Sequence, residues 1–164
     1  MASIQHVGEA LNRSSDAAKL LQRLEAQRAS VAAHVKGLPR PKVLVVIWYD
    51  PVITAGNKSF INDLISAAGG ESITSDMAQA WPQISLEEVL RRSPDCLLLV
   101  RAAHGGISEE ELKAHAGWDQ LPALRDNHVL YMDERFIHPS PVALDALPQL
   151  AKEIHPEAFR NQER

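Results

Sequence analysis

The chain predicts an α/β fold: a small, mainly parallel sheet with helices on both faces, a Rossmann-like lobe preceded by a long connecting helix. Three observations carry that expectation. Val43-Leu44-Val45-Val46-Ile47-Trp48, Asp95 to Val100 and Val129-Leu130-Tyr131-Met132 read as strands, the first a continuous β-branched and apolar run of the kind buried on both faces of a parallel sheet. Stretches of helical period separate them, two of them opened by a capping box and a hydrophobic staple. The resulting order of alternating strands and helices implies right-handed crossovers that place helices on both sides of the sheet.

Each element has a local cause. From Ile4 to Lys36 the apolar positions Ile4, Val7, Leu11, Ala17, Leu21, Leu24, Val31 and Val35 recur at helical steps. Asn12 can adopt a left-handed cap, Ser14 or Ser15 can start a second and longer helix, and Gly37 stops it before Pro39 and Pro41. The apolar stripe is thin, so this helix is expected along a surface. The strand over 43–48 is followed by a helix expected to open near Asn57, with Phe60, Ile61, Leu64 and Ile65 inward and Gly69-Gly70 as its stop. A short strand is expected around Ser72-Ile73-Thr74. Ser85 with Glu88, flanked by Ile84 and Val89, marks the next helix start, and Ser108 with Glu111, flanked by Ile107 and Leu112, the one after. Ser140 as cap and Pro141 at the first helical position open a last helix to about Ile154. The charged segment after it reads as a frayed tail.

Composition narrows the function. The chain has 164 residues, 45% hydrophobic and 23% charged, which fits one folded domain. A formal net charge of -4 and the lack of any dense Lys/Arg run argue against nucleic acid. No apolar run reaches the roughly 20 residues that span a bilayer, and the first residues lack the basic and apolar segments of an export signal. Cys96, the one cysteine, sits in an apolar run and reads as a small core residue.

In an open α/β sheet ligands bind beyond the carboxyl ends of the strands. There the sequence places Trp48-Tyr49-Asp50-Pro51, Trp81-Pro82 before a helix, Arg101 through Gly106, and Glu134 through Pro141 with Phe136 and His138. Aromatic rings at one rim suit a flat, bulky ligand with polar edges, although Trp48 and Trp81 as caps on the core would read the same way. Arg101 is a cation at a strand end, able to meet an anionic ligand edge or a surface carboxylate. Gly105-Gly106 reads as a flexible turn. Glu87 falls in the first turn of a capped helix, where the dipole favours a carboxylate.

Catalytic signals are poor. There is no G-x-S-x-G, phosphate loop, H-E-x-x-H or C-x-x-C. His104 and His138 could bind a metal or act as bases, but lone histidines are more often solvated or hydrogen-bonded structure. A free-standing α/β hydrolase or transferase using His104, His138 and Asp50 is the alternative of another class, and no nucleophile accompanies them.

Asp50-Pro51-Val52-Ile53-Thr54-Ala55-Gly56-Asn57-Lys58-Ser59-Phe60, Ala67-Ala68-Gly69-Gly70, Trp81-Pro82-Gln83-Ile84-Ser85-Leu86-Glu87-Glu88-Val89-Leu90 and Ser93-Pro94-Asp95 resemble the C-terminal half of the helical-backbone solute-binding proteins of ABC importers, most of all the cobalamin-binding component. The resemblance implies a periplasmic carrier and not an enzyme, with two α/β lobes joined by a helix. Residues 1–37 would be the inter-lobe helix, 38–156 the C-terminal ligand-binding lobe and 157–164 the tail, the N-terminal lobe being absent. It implies that Trp81 stacks on a corrinoid or an iron chelate such as a ferric siderophore or haem. Trp48 or Tyr49, with the loop around Phe136 to His138, would line the same cleft, and Glu87 would dock onto an arginine of the membrane permease. No cofactor or structural metal is expected; zinc or manganese, bound by some related two-lobed proteins, is a lesser reading. One lobe alone is expected to bind ligand weakly or not at all, and dimerisation through the exposed inter-lobe surface is a further expectation.

Overall fold

The computed structural model describes residues 2–102 and 105–160. Helices α1 (Ala2–Ala10) and α2 (Ser14–Val35) come first. Asn12 adopts a left-handed φ of 55° between them, and a Cβ on Gly8 would lie 2.5 Å from that of Ala17. The helical stretch expected over 1–37 is therefore two helices that cross at this contact. As its thin stripe predicts, α2 buries only Ala17, Leu21, Leu24 and Val31, and Gly37 ends the segment at φ 77°.

The main sheet sets β4 (Glu71–Ser72), β1 (Lys42–Val46), β6 (Cys96–Ala102) and β8 (Val129–Asp133) side by side and parallel. Strand β7 (Gly105–Gly106) pairs antiparallel with the end of β6, so Gly105-Gly106 is a strand and not the expected loose turn. Arg101 faces Asp133 on one side and Gly106 on the other, so β7 occupies the edge that a longer β1 would have covered. For this reason β1 ends at Val46 instead of running to Trp48. The chain turns off into a second, antiparallel sheet of β2 (Trp48–Tyr49), β3 (Val52–Ile53) and β5 (Gln83–Ile84).

Alternation along β1 and β6 divides the core in two. Val43, Val45, Cys96 and Leu98 pack against α2, α3 (Phe60–Ala67), α8 (Leu147–Ile154) and α9 (Pro156–Phe159). Leu44, Val46, Leu97 and Leu99 pack against α4 (Leu86–Arg92), α5 (Glu109–Ala114), α6 (Pro122–Arg125) and the small sheet. These strand residues are fully buried apart from Cys96, each large one stabilising the fold by about 1.5–3 kcal/mol.

Four boundaries differ from expectation. Helix α3 opens after Ser59, whose Oγ accepts from Ile61 N as the cap, while Asn57 N donates to Met77 O in the neighbouring loop. At α4, Ser85 Oγ accepts from Glu88 N, but the Glu88 carboxylate turns to Arg91 and Arg92, so only half of the expected capping box forms. The box of Ser108 and Glu111 at α5 is complete. The last helix is two, α7 (Pro141–Asp145) and α8, since Pro148 has no N–H with which to continue the ladder. The described beginning of the tail expected to fray docks as α9: His155 is buried with Nε2 3.2 Å from Gly69 O, and Phe159 joins the core and stacks on His34 at 5.1 Å.

Candidate functional site

The small sheet presents one open face. Trp48 pairs with Ile53 and Ile53 with Gln83, so these three side chains project to the same side. The ladder continues past β5, with Thr54 N donating to Pro82 O (3.1 Å) and Gly56 N to Ala80 O (3.0 Å). Trp81 therefore falls on the face of Gln83. Burial agrees: Trp48 is 48% and Trp81 46% exposed, while Val52, Pro82 and Ile84 on the reverse are buried. Neither tryptophan is sealed inside the core. The third, Trp118, is the buried one at 2%.

Local contacts fix this face. Trp48 Nε1 donates to Asp50 O at 2.8 Å, and the Trp48 ring stacks on Tyr49 with centroids 5.1 Å apart. Tyr49 pairs with buried Val52 and rests on His115 at 4.3 Å. It lines a pocket of about 600 Å³ with Gln83, Ser85, His115 and Trp118.

The sheet register brings further residues to the same edge. Val46, Leu99 and Tyr131 lie in line across β1, β6 and β8, and two residues further on Arg101 pairs with Asp133. Arg101 lays its guanidinium 3.8 Å above the Tyr131 ring, a contact worth about 0.5–1 kcal/mol at an exposed site. Phe136 ends the 3-10 turn Glu134–Phe136 with Arg135 5.0 Å above its ring, and lines a separate pocket of about 220 Å³ with Tyr131 and Met132. His138 is exposed on the loop that leads to α7. By register the structure puts Trp48 and Trp81 on one face, stacks the Trp48 ring on Tyr49, and sets Phe136 apart. His104 lies outside the described residues.

The sequence pattern described as "Periplasmic binding protein" matches residues 2–136. The chain belongs to the periplasmic binding protein family. Curated relatives include the Vitamin B12-binding protein of Vibrio parahaemolyticus, 33% identical over 104 residues, which is 62% of this chain and 36% of that protein. The High-affinity heme uptake system protein IsdE of Staphylococcus aureus is 30% identical over 141 residues, 80% of this chain and 47% of that protein. The chain spans about half or less of the length of these relatives. Among solved structures, an ABC transporter substrate-binding protein from Listeria monocytogenes matches with a TM-score of 0.82 and 27% identity, over 95% of this chain and 63% of that one. A structure from Saccharomonospora viridis, described as an ABC-type Fe3+-hydroxamate transport system, shares the fold at a TM-score of 0.80 and 23% identity, over 94% and 54%.

In this periplasmic binding protein the two carboxylates at the start of α4 differ. Glu88 accepts from Arg91 and Arg92, and those hydrogen bonds hold its pKa down at about 2. Glu87 is exposed and has no hydrogen-bond or ion-pair partner among the described residues. Burial pushes the Cys96 thiol up to about 12, the property of a core side chain and not of a nucleophile. Among the described residues no cluster of three or more His, Cys, Asp or Glu could hold a metal, and no helix is long and apolar enough to cross a membrane.

Sequence reasoning missed Ile53 and Gln83 as the floor between the tryptophans, although Trp-Tyr-Asp-Pro-Val-Ile is a hairpin signal with a two-residue turn. Nothing in the sequence marks Tyr131 as the seat of Arg101 or His115 as the rest of Tyr49, since both contacts join residues distant in the chain.

Proposed function

We propose that this chain is the C-terminal ligand-binding lobe, with its connecting helices, of an extracytoplasmic carrier serving an ABC importer. Residues 1–37 form the connection and 38–156 the lobe, and the ligand is a corrinoid. The observation that carries the reading is the exposed face that bears Trp48 and Trp81 together with Ile53 and Gln83. Indole rings left half in water are placed to bury large area against a flat ligand at low entropic cost. Arg101 would meet an anionic edge, while Tyr49 supports Trp48 by stacking on its ring. His138, exposed on the loop before α7, would close the far side of the same cleft, while Phe136 stands apart from it. Glu87, uncommitted beside a committed Glu88, would meet an arginine of the permease. Likeness to the vitamin B12-binding protein favours a corrinoid, and likeness to the heme uptake protein over a longer stretch favours haem as the second reading.

Titration of millimolar cyanocobalamin, haemin and a ferric hydroxamate against the 5-fluorotryptophan-labelled protein tests this. Cyanocobalamin should shift the Trp48 and Trp81 fluorine lines saturably and leave Trp118 still, and Trp81→Ala should weaken the effect at least about tenfold. A response to haemin alone would transfer the assignment to haem; movement with none of the three would end the reading of this face as a ligand wall.

A further inference from the structure

The segment from Asp76 to Glu88 carries both Trp81 and Glu87, and a single side chain joins its ends. Arg92 Nη1 donates to Asp76 Oδ1 at 2.6 Å and Nη2 to Oδ2 at 2.9 Å, a two-pronged guanidinium-carboxylate pair. Its Nε donates to Glu88 Oε1 at 2.7 Å, and Nη1 also reaches the carbonyl of Ile73. The Arg92 side chain is only 20% exposed where that of Arg91 is 71% exposed, so Arg92 lies inside the neck of the loop and Arg91 outside it. A lysine has the charge but not the planar fork, and could not serve three acceptors held in these directions.

The loop beyond the neck is tightly seated. A Cβ on Gly56 would lie 2.2 Å from Gln79 O and 2.7 Å from Met77 O, so the backbone of 77–79 rests directly on the glycine. Thr74 Oγ1 donates to Ala55 O at 2.7 Å. These contacts bind the loop to the segment after β3, but Arg92 is what binds its two ends to each other. Closing a loop removes the freedom of everything within it. We propose that Arg92 is a positioning residue that closes the neck of the 76–88 loop and thereby holds the Trp81 ring and the α4 first turn, with Glu87, as one rigid unit. What Trp81 faces rests on the carrier reading above; that Arg92 closes the neck of its loop does not.

The test uses the whole chain labelled with 5-fluorotryptophan, its three lines assigned by single Trp→Phe changes. In Arg92→Met the Trp81 line should shift and broaden while buried Trp118 keeps its place, and Arg92→Lys should recover part of the Trp81 signal. Where cyanocobalamin binds the parent protein, Arg92→Met should weaken it about tenfold. A parent protein that binds no ligand counts against the carrier reading only, because the fluorine lines still decide the role of Arg92. Trp81 and Trp118 moving together, or a lower Tm with the Trp81 line unmoved, would overturn the proposal by reducing Arg92 to general stability. Should Arg92→Met not fold, Asp76→Asn opens the neck from its exposed end, and an unmoved Trp81 line in that variant overturns the proposal equally.

Discussion

Thr54 stands one residue from the candidate ligand face, fully buried, with a hydroxyl that finds no partner among the described residues. A hydroxyl removed from water without a hydrogen bond costs about 1–3 kcal/mol, while valine has nearly the same shape without the polar atom. Thr54→Val should therefore raise stability by about 1 kcal/mol in urea unfolding. A loss of stability would mean that the hydroxyl is satisfied, by an enclosed water for example. The sequence gives no hint of this, because Val52-Ile53-Thr54 reads simply as β-branched. By contrast the exposure of Trp81 was half legible: its place before a capped helix located it at the rim, but only the pairing of 54 with 82 and 56 with 80 settles which way the ring projects.

At the scale of one element, α4 shows how an ion network gives a short helix its pH dependence. Glu88 has an ordinary carboxyl value of 4.5 and is held at about 2 by hydrogen bonds from Arg91 and Arg92, and Asp76 is lowered by its bond to Arg92. A carboxylate with a depressed folded pKa stabilises the fold fully above its unfolded value, and that contribution is lost as pH falls through the folded value. The window is thus from about pH 4.5 down to about 2. Glu88→Gln should be less stable than the parent at pH 7 and indistinguishable from it near pH 2 in acid-urea unfolding; a constant gap across that range would show that the charge is not what matters. Sequence reading found the α4 start from Ser85 but assigned Glu88 to the cap. Its true partners lie on the next turn of the helix, where Arg91 and Arg92 compete for the same carboxylate. Elements with purely local causes, such as the box of Ser108 and Glu111 or the left-handed Asn12, were legible in full. Those set by distant neighbours, such as the end of β1 against β7, were not.

Across the whole molecule the two halves of the core share their strands, and this decides how the chain must unfold. Val45 and Leu44 are adjacent on β1 yet serve opposite layers, the first under α3 and α8 and the second under α4 and α5. Neither layer can come apart while the other keeps its sheet, because each would lose the strand that forms its floor. The layered α/β order was readable from the apolar runs, and it is the reason for expecting one transition and not two. Leu44→Ala and Val45→Ala should each move a single midpoint, with Leu44→Ala costing about 2–5 kcal/mol as buried leucine truncations do. The 5-fluorotryptophan line of Trp118 reports the α5 layer, and the 4-fluorophenylalanine line of Phe159 reports the α8 layer. The two probes should trace coincident urea curves in the parent and in both variants. Curves that separate in Leu44→Ala, with the Phe159 layer persisting after Trp118 is exposed, would show that the layers fold independently and that the shared strands do not couple them. Helix α1 buries only Gly8 and leaves Val7, like Leu11 just beyond its end, in water, so its melting need not follow the sheet.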